Sequence, residues 1–68
     1  MKRLFLKDTN NYDCAINTTM VTSLTYDNKI GLNTHTRIDF QGGGFIHVIG
    51  TVEEIATAIR LHRMHNGN

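Results

Sequence analysis

The chain has 68 residues, with seven Lys and Arg against six Asp and Glu, and a formal net charge of +1. This length allows one small domain, so residues 1–68 are predicted to form a single domain with a frayed tail at residues 64–68. A single cysteine excludes a disulfide framework, and the shortness of every apolar run argues against a membrane span. The lone cysteine and the absence of a signal peptide lead us to expect a cytoplasmic location.

The N-terminal residues are predicted to form a β-hairpin. In residues 2–7, Leu4 and Leu6 alternate with larger or charged neighbours, which is the period-2 pattern of a half-buried strand. The Asp-Thr-Asn-Asn turn that follows contains side chains that hydrogen-bond to their own backbone, and residues 12–17 return as the second strand. Leu4 and Leu6 are therefore expected in the core, with Phe5 on the opposite face.

The middle of the chain has the weakest pattern. Residues 18–20 are either a short turn or continued chain. β-Branched and aromatic side chains favour a strand over residues 21–26. Residues 27–29 are predicted to turn, and residues 30–35, which are mostly polar, are either a flexible loop or an irregular edge strand.

A second hairpin follows, with glycines 42–44 at its tip. Residues 36–40 alternate apolar with charged side chains, and the glycines tolerate the positive φ that tight hairpin loops require. A two-residue loop would place Phe40 beside Phe45, whereas a three-residue loop over 42–44 places Phe40 beside Ile46. The second register is preferred because it gathers the apolar side chains on one face. That face carries Ile38, Phe40, Ile46 and Val48, and the opposite face, called the outer face from here on, carries Arg37, Asp39, Phe45, His47 and Ile49.

The last predicted element is a helix that begins after Thr51. Thr51 and Glu54 have the spacing of a capping box, in which each side chain bonds to the backbone N–H of the other residue. Apolar residues then recur at helical spacing, and Met64 extends their stripe. The stripe consists of Val52, Ile55, Ala56 and Ile59.

Together these elements predict an α+β fold. We expect a small antiparallel sheet of four to five strands with one C-terminal helix packed on one face. The predicted core consists of Leu4, Leu6, Ile38, Phe40, Ile46, Val48, Ile55 and Ile59.

The order of motifs resembles a known family. A strand, a polar turn and a second strand end in Ile16-Asn17, Val21 lies four residues after the asparagine, and a glycine-turn hairpin precedes Thr-Val-Glu-Glu-Ile at residues 51–55. This order is similar to that of the short flagellar-operon proteins of the FlbD type and of similar small phage proteins. The chain departs from the pattern where Thr18 replaces a proline and where residues 27–35 form a longer loop. The resemblance implies a small cytoplasmic accessory protein, phage-encoded rather than flagellar, and transfers no catalytic residue.

No pattern in the sequence indicates catalysis or a cofactor. His62 and His65 have a spacing that one metal ion could bridge, and His35 and His47 could join them, but no carboxylate or second cysteine completes a ligand set. The glycine run lacks the lysine and the helix of a phosphate-binding loop. Cys14 has the default interpretation of a small buried apolar residue. We therefore expect a protein that is not an enzyme and that holds no metal or cofactor.

The residues that favour binding lie on two surfaces. The outer face combines Phe45 and Ile49 with charged side chains, as subunit interfaces do, although scattered surface residues are the alternative. Basic residues near both ends of the chain form either a modest basic patch or ordinary solvated surface. The candidate binding residues are Arg37, Asp39, Phe45, His47, Ile49, Arg60 and Arg63, and the basic patch consists of Lys2, Arg3, Lys7, Arg60 and Arg63.

These surfaces predict a non-catalytic binding protein that assembles as a homo-oligomer, because 68 residues without a disulfide or metal leave little net stability. The expected target is a host protein or a small nucleotide signal, bound or sequestered in a takeover or anti-defence role. The alternative is a regulatory protein that binds nucleic acid through the basic patch, with Tyr12 or Phe45 as a stacking platform.

Overall fold

The structure, a computed structural model, describes residues 3–26 and 34–65. Within these residues the fold is α+β, as predicted. The elements in chain order are strand β1 (Leu4–Lys7), strand β2 (Asp13–Ile16), a 3-10 helix (Thr18–Met20), strand β3 (Val21–Tyr26), strand β4 (His35–Phe40), strand β5 (Phe45–Ile49) and helix α1 (Val52–His65). The predicted turn at 27–29, most of the uncertain segment 30–35 and the end of the predicted frayed tail, residues 66–68, lie outside the described residues.

The prediction of one sheet is wrong, because the strands form two antiparallel sheets. β1 pairs with β2, and β3, β4 and β5 form a three-stranded sheet in that order. Among residues 3–26 and 34–65, the two sheets meet at one bridge, between Asp8 and Val48. Continued in register, this pairing would place Leu6 opposite Gly50, but β5 ends at Ile49. Gly50 has φ +129° and turns the chain toward α1, so β1 has no further backbone to pair with.

The turn between β1 and β2 is organised by Asp8. Its carboxylate oxygen Oδ1 accepts hydrogen bonds from the backbone N–H groups of Asn10 (2.9 Å) and Tyr12 (3.0 Å). Asn11 has φ +67°, a conformation that asparagine tolerates better than most residues. The polar turn predicted here is confirmed, and it reverses the chain so that Leu4 lies opposite Ile16.

Residues 18–20 form a short turn, one of the two predicted alternatives, in the shape of a three-residue 3-10 helix. Asn17 caps it, because the Asn17 side-chain oxygen accepts hydrogen bonds from the backbone N–H (3.1 Å) and the hydroxyl (2.7 Å) of Thr19. β3 follows directly and has the predicted bounds. Its pairing with β4 shifts register between Val21 and Ser23, which is a β-bulge.

The predicted register of the second hairpin is wrong by two residues. Ile38 lies opposite Ile46, not Val48, and the backbone N–H of Phe40 bonds to the carbonyl of Gly44 (2.8 Å). The loop is therefore Gln41 to Gly43, with Gly42 at φ +99°, as a type II turn requires at its third position. Because the shift is an even number of residues, every side chain stays on its predicted face.

The helix begins as predicted. The backbone N–H of Thr51 donates to the Glu54 carboxylate (2.9 Å), and the backbone N–H of Glu54 donates to the Thr51 hydroxyl (3.1 Å), which completes the capping box. The buried residues of α1 are Ile55 and Ile59. Met64 does not extend the stripe, because 66% of it is exposed, and the half-buried His62 lies at the helical position that continues it.

The core lies between α1 and the inner faces of both sheets. The predicted core is confirmed, with Leu4, Leu6, Phe40 and Ile46 partly buried around its centre. Sequence reasoning did not include the largely buried Ile16. The buried apolar residues of the described part are Ile16, Ile38, Val48, Ile55 and Ile59. Within residues 3–26 and 34–65, no helix is both long and apolar enough to cross a membrane.

Candidate binding face

The outer face is the side of the three-stranded sheet opposite the buried face that packs against α1. β4 is the central strand, so its outward side chains have neighbours on both sides. Arg37 lies opposite Thr25 on β3 and His47 on β5, and Asp39 lies opposite Ser23 and Phe45. The five predicted outer-face residues are therefore brought together on one surface.

Asp39 is held by two hydrogen bonds. Ser23 Oγ donates to Asp39 Oδ2 (2.9 Å), and Arg37 Nε donates to Asp39 Oδ1 (2.9 Å). The Ser23 hydrogen bond, followed by the hydrogen bond and charge of Arg37, holds the pKa of Asp39 below its usual value, although burial acts in the opposite direction. Asp39 is therefore a carboxylate at neutral pH, and both of its oxygens have a donor.

Arg37 is positioned on an aromatic ring as well. Its guanidinium carbon lies 4.0 Å from the centroid of the Phe45 ring, a cation–π contact worth about 0.5–1 kcal/mol at an exposed site. Phe45 meets His47 edge to face, with ring centroids 5.6 Å apart. Arg37, Asp39, Phe45 and His47 thus form one connected group in which each side chain is oriented by another.

This group is accessible from solvent. Half of Phe45 and 40% of Ile49 are exposed, and the Arg37 and Asp39 side chains are 41% and 27% exposed. A guanidinium has five N–H donors in a fixed fork, and Asp39 engages the Nε donor. The group can therefore present a fixed cation, a carboxylate and apolar surface to a partner, with little side-chain entropy left to lose on binding.

Arg60 and Arg63 lie apart from the outer face. They line a groove of about 400 Å³ between α1 and β3, called the arginine groove from here on, whose apolar walls include Leu24 and Ile59. Arg3, which was predicted to join these arginines in one basic patch, lines a different groove, beside Met20. Lys7 forms an exposed ion pair (2.7 Å) with Asp13, which lies opposite it on β2.

In the described part of the chain, the candidate metal ligands do not come together in one site and the Cys14 thiol is half-buried. Among the described residues, no three His, Cys, Asp or Glu side chains are grouped so that they could hold a metal ion. Cys14 is half-buried against the core, and burial followed by the charge of Asp8 raises the pKa of its thiol. A raised pKa keeps the thiol protonated at neutral pH, which disfavours nucleophilic reactivity.

Sequence reasoning missed Ser23 and His35. Ser23 donates the second side-chain hydrogen bond to the Asp39 carboxylate. His35 lies opposite Ile49 on the outer face, and its Nδ1 atom is buried without a hydrogen-bond partner in the described part of the chain. Alternation along β4 could have placed His35, because it is two residues from Arg37. Ser23 had no such signal, since its position depends on the bulge in β3.

Comparisons with protein family models, curated proteins and solved structures give no match for this chain. The resemblance to FlbD-type and small phage proteins therefore stays a prediction.

Proposed function

We propose that this protein is a non-catalytic binding protein that works as a homo-oligomer, with the outer face as the contact between subunits. The assembly binds or sequesters a host target, either a protein or a small nucleotide signal. The phage setting and the takeover or anti-defence role rest on the resemblance of the motifs around Asn17 and Thr51. The location that goes with this role is the cytoplasm.

The observation that carries the proposal is the pre-ordered group of Arg37, Asp39, Phe45 and His47 on a face that α1 does not cover. Exposed Phe45 and Ile49 beside a fixed arginine have the composition of the centre of a protein interface. A two-fold contact through this face would bring Arg37 of one subunit near Asp39 of the other, so the charges suit self-association.

The small core supports the same conclusion. Five apolar residues are largely buried in the described part of the chain, and a 68-residue domain buries only about 60% of the surface of its unfolded chain. Covering Phe45 and Ile49 in an interface would add apolar burial worth about 25 cal/mol per Å². Assembly would therefore stabilise a fold that has little margin by itself.

Nucleic-acid binding is the second candidate, because Arg60 and Arg63 line one groove, and none of the described residues that line this groove is acidic. Phosphate contacts would make binding of a mixed-sequence single-stranded oligonucleotide fall steeply with added salt. Salt-tolerant assembly with no binding of the oligonucleotide favours the leading proposal. A salt titration that follows both oligonucleotide binding and assembly therefore distinguishes the two functions.

The test of the leading proposal is the mass of the particle in solution. Phe45→Asp/Ile49→Asp would bury unpaired carboxylates at the contact, each costing several kcal/mol, and should lower the mass of the assembly. The matched control is Tyr12→Asp/Leu61→Asp, which adds the same charge at exposed positions away from the outer face and should keep the wild-type mass. Light scattering that gives one mass for wild type and the outer-face variant would refute the proposal.

A further inference from the structure

The β3 edge of the three-stranded sheet has no neighbouring strand among the described residues, and it is a second surface, separate from the outer face. β3 is the terminal strand of that sheet in the described part of the chain, and none of its six residues is charged. A terminal strand presents backbone N–H and C=O groups that can pair with another strand, and monomeric proteins usually protect such edges with lysine, proline or a short length. β3 has a bulge at its start and none of these other protections.

The inner side of β3 is covered only in part. Leu24 separates the arginine groove from a second groove of about 460 Å³, which lies between Tyr26 on β3 and Val52 and Glu53 on α1. Tyr26 is 55% exposed. Because the C-terminal half of α1 lies beside the start of β3 and its N-terminal turn lies beside Tyr26, α1 runs antiparallel to β3.

The flank of α1 that lies beside β3 carries negative charge at one end and positive charge at the other. Glu53 lies at one end, Arg60 and Arg63 lie at the other, and the exposed Ala56 lies between them. None of these three charged residues forms an ion pair within the described part of the chain. A two-fold rotation beside Ala56 would reverse the helix and place Glu53 of one copy next to Arg60 of the other, twice.

We propose that a second copy of this chain docks on this flank, with the two β3 strands pairing antiparallel and the two α1 helices packing side by side. The two three-stranded sheets then form one continuous sheet, and two reciprocal Glu53–Arg60 ion pairs join the helices. Self-complementary charge on the flank selects a second copy over an acidic or basic partner. This contact is additional to the outer-face contact proposed above.

The dimensions of the elements fit this arrangement. α1 contacts β3 and β4, so its axis lies about one strand spacing, roughly 5 Å, from the line where the two sheets would join. The two helices would then be about 10 Å apart, which is the normal distance between packed helices. Glu53 and Arg60 are about 10 Å apart along the helix axis, at about 1.5 Å per residue, so their midpoint lies between Ala56 and Thr57. Of these two residues, Ala56 is the one that lines the groove toward β3. A small residue at that point permits close approach.

The test uses charge reversal in the Phe45→Asp/Ile49→Asp background, where the outer face no longer joins subunits. We expect this background to form a dimer in native mass spectrometry. Glu53→Arg or Arg60→Glu alone should weaken the dimer about tenfold or more, because two opposite-charge contacts become like-charge contacts. A mixture of the two single variants should form the heterodimer, in which both pairs have opposite signs again, and the Glu53→Arg/Arg60→Glu chain should recover the homodimer.

A second measurement keeps the proposal testable if the background chain does not fold. In the otherwise wild-type chain, Ala56→Cys should give a covalent dimer with a short bismaleimide, because the two positions face each other across the axis. Thr57→Cys should give much less, because Thr57 is exposed at the same level of α1 but lines a different groove, beside Leu61. Equal cross-linking of the two variants, or a mixture of charge variants without the heterodimer, would overturn the proposal. Either result leaves the outer-face contact untouched, since that contact depends on Phe45 and Ile49.

Discussion

Gly50 joins the last strand to the helix, and its substitution gives the sharpest test of the fold. It has φ +129°, and a Cβ atom placed on it would lie 2.9 Å from Cδ1 of the buried Ile55. The hydroxyl of the fully buried Thr36 donates a hydrogen bond to the Gly50 carbonyl (2.8 Å), which fixes the backbone there. Gly50→Ala should therefore cost backbone strain of about 1–3 kcal/mol and a further ~1–3 kcal/mol for overpacking against Ile55.

Two other glycines provide matched controls. Gly43 has φ +99° but open space around its Cβ position, so Gly43→Ala should show the strain cost alone. Gly44 has neither a left-handed φ nor a close neighbour, so Gly44→Ala should be near neutral. Urea unfolding followed by far-UV circular dichroism measures all three differences. If Gly50→Ala costs no more than Gly43→Ala, the packing described for Gly50 against Ile55 is wrong.

Three further changes test other parts of the account. Thr51→Ala should lower the free energy of unfolding by about 1 kcal/mol while Thr51→Ser is nearly neutral, and equal melting temperatures for Thr51→Ala and wild type would contradict the helix start. Ile55→Ala should cost about 2–5 kcal/mol, a large part of the roughly 3–10 kcal/mol expected for 68 residues, and a mild effect would mean that α1 packs by another face. The lowered pKa of Asp39 stabilises the fold above the unfolded pKa of about 4, and this contribution is lost as the pH falls through the folded pKa. Urea unfolding between about pH 6 and 3 should therefore lose more stability in wild type than in Asp39→Asn, and equal pH profiles would refute the role given to Asp39.

The faces of the second hairpin were predictable, but its register was not. Alternation along β4 and β5 assigns each side chain to a face, and this assignment survives any even shift of register. Glycines 42–44 can adopt several loop conformations at low cost. Pairing the apolar side chains of the two strands was therefore not enough to predict the loop that forms. The observed pairing of Ile38 with Ile46 depends on which glycines take positive φ, and the sequence pattern does not contain that information.

The division into two sheets and the location of the arginines depend on tertiary geometry. β1 leaves β5 because β5 ends at Ile49, and only the packing of Gly50 against Ile55 shows why the chain must turn there. Helical spacing puts Arg60 and Arg63 on α1, but it does not show that their flank faces β3 rather than the N-terminal strand. The outer-face residues on β4 and β5 were predictable from the alternation along these two strands. The contact of Ser23 with Asp39 was not, because it depends on the register between β3 and β4 across the bulge.

The central claim is that the chain works as an assembly, and the mass of the wild-type protein in solution tests it most directly. Sedimentation equilibrium over a wide range of concentrations should give a mass that is a multiple of the 7.7 kDa chain. A folded wild-type protein with a mass of 7.7 kDa at every concentration would contradict the account.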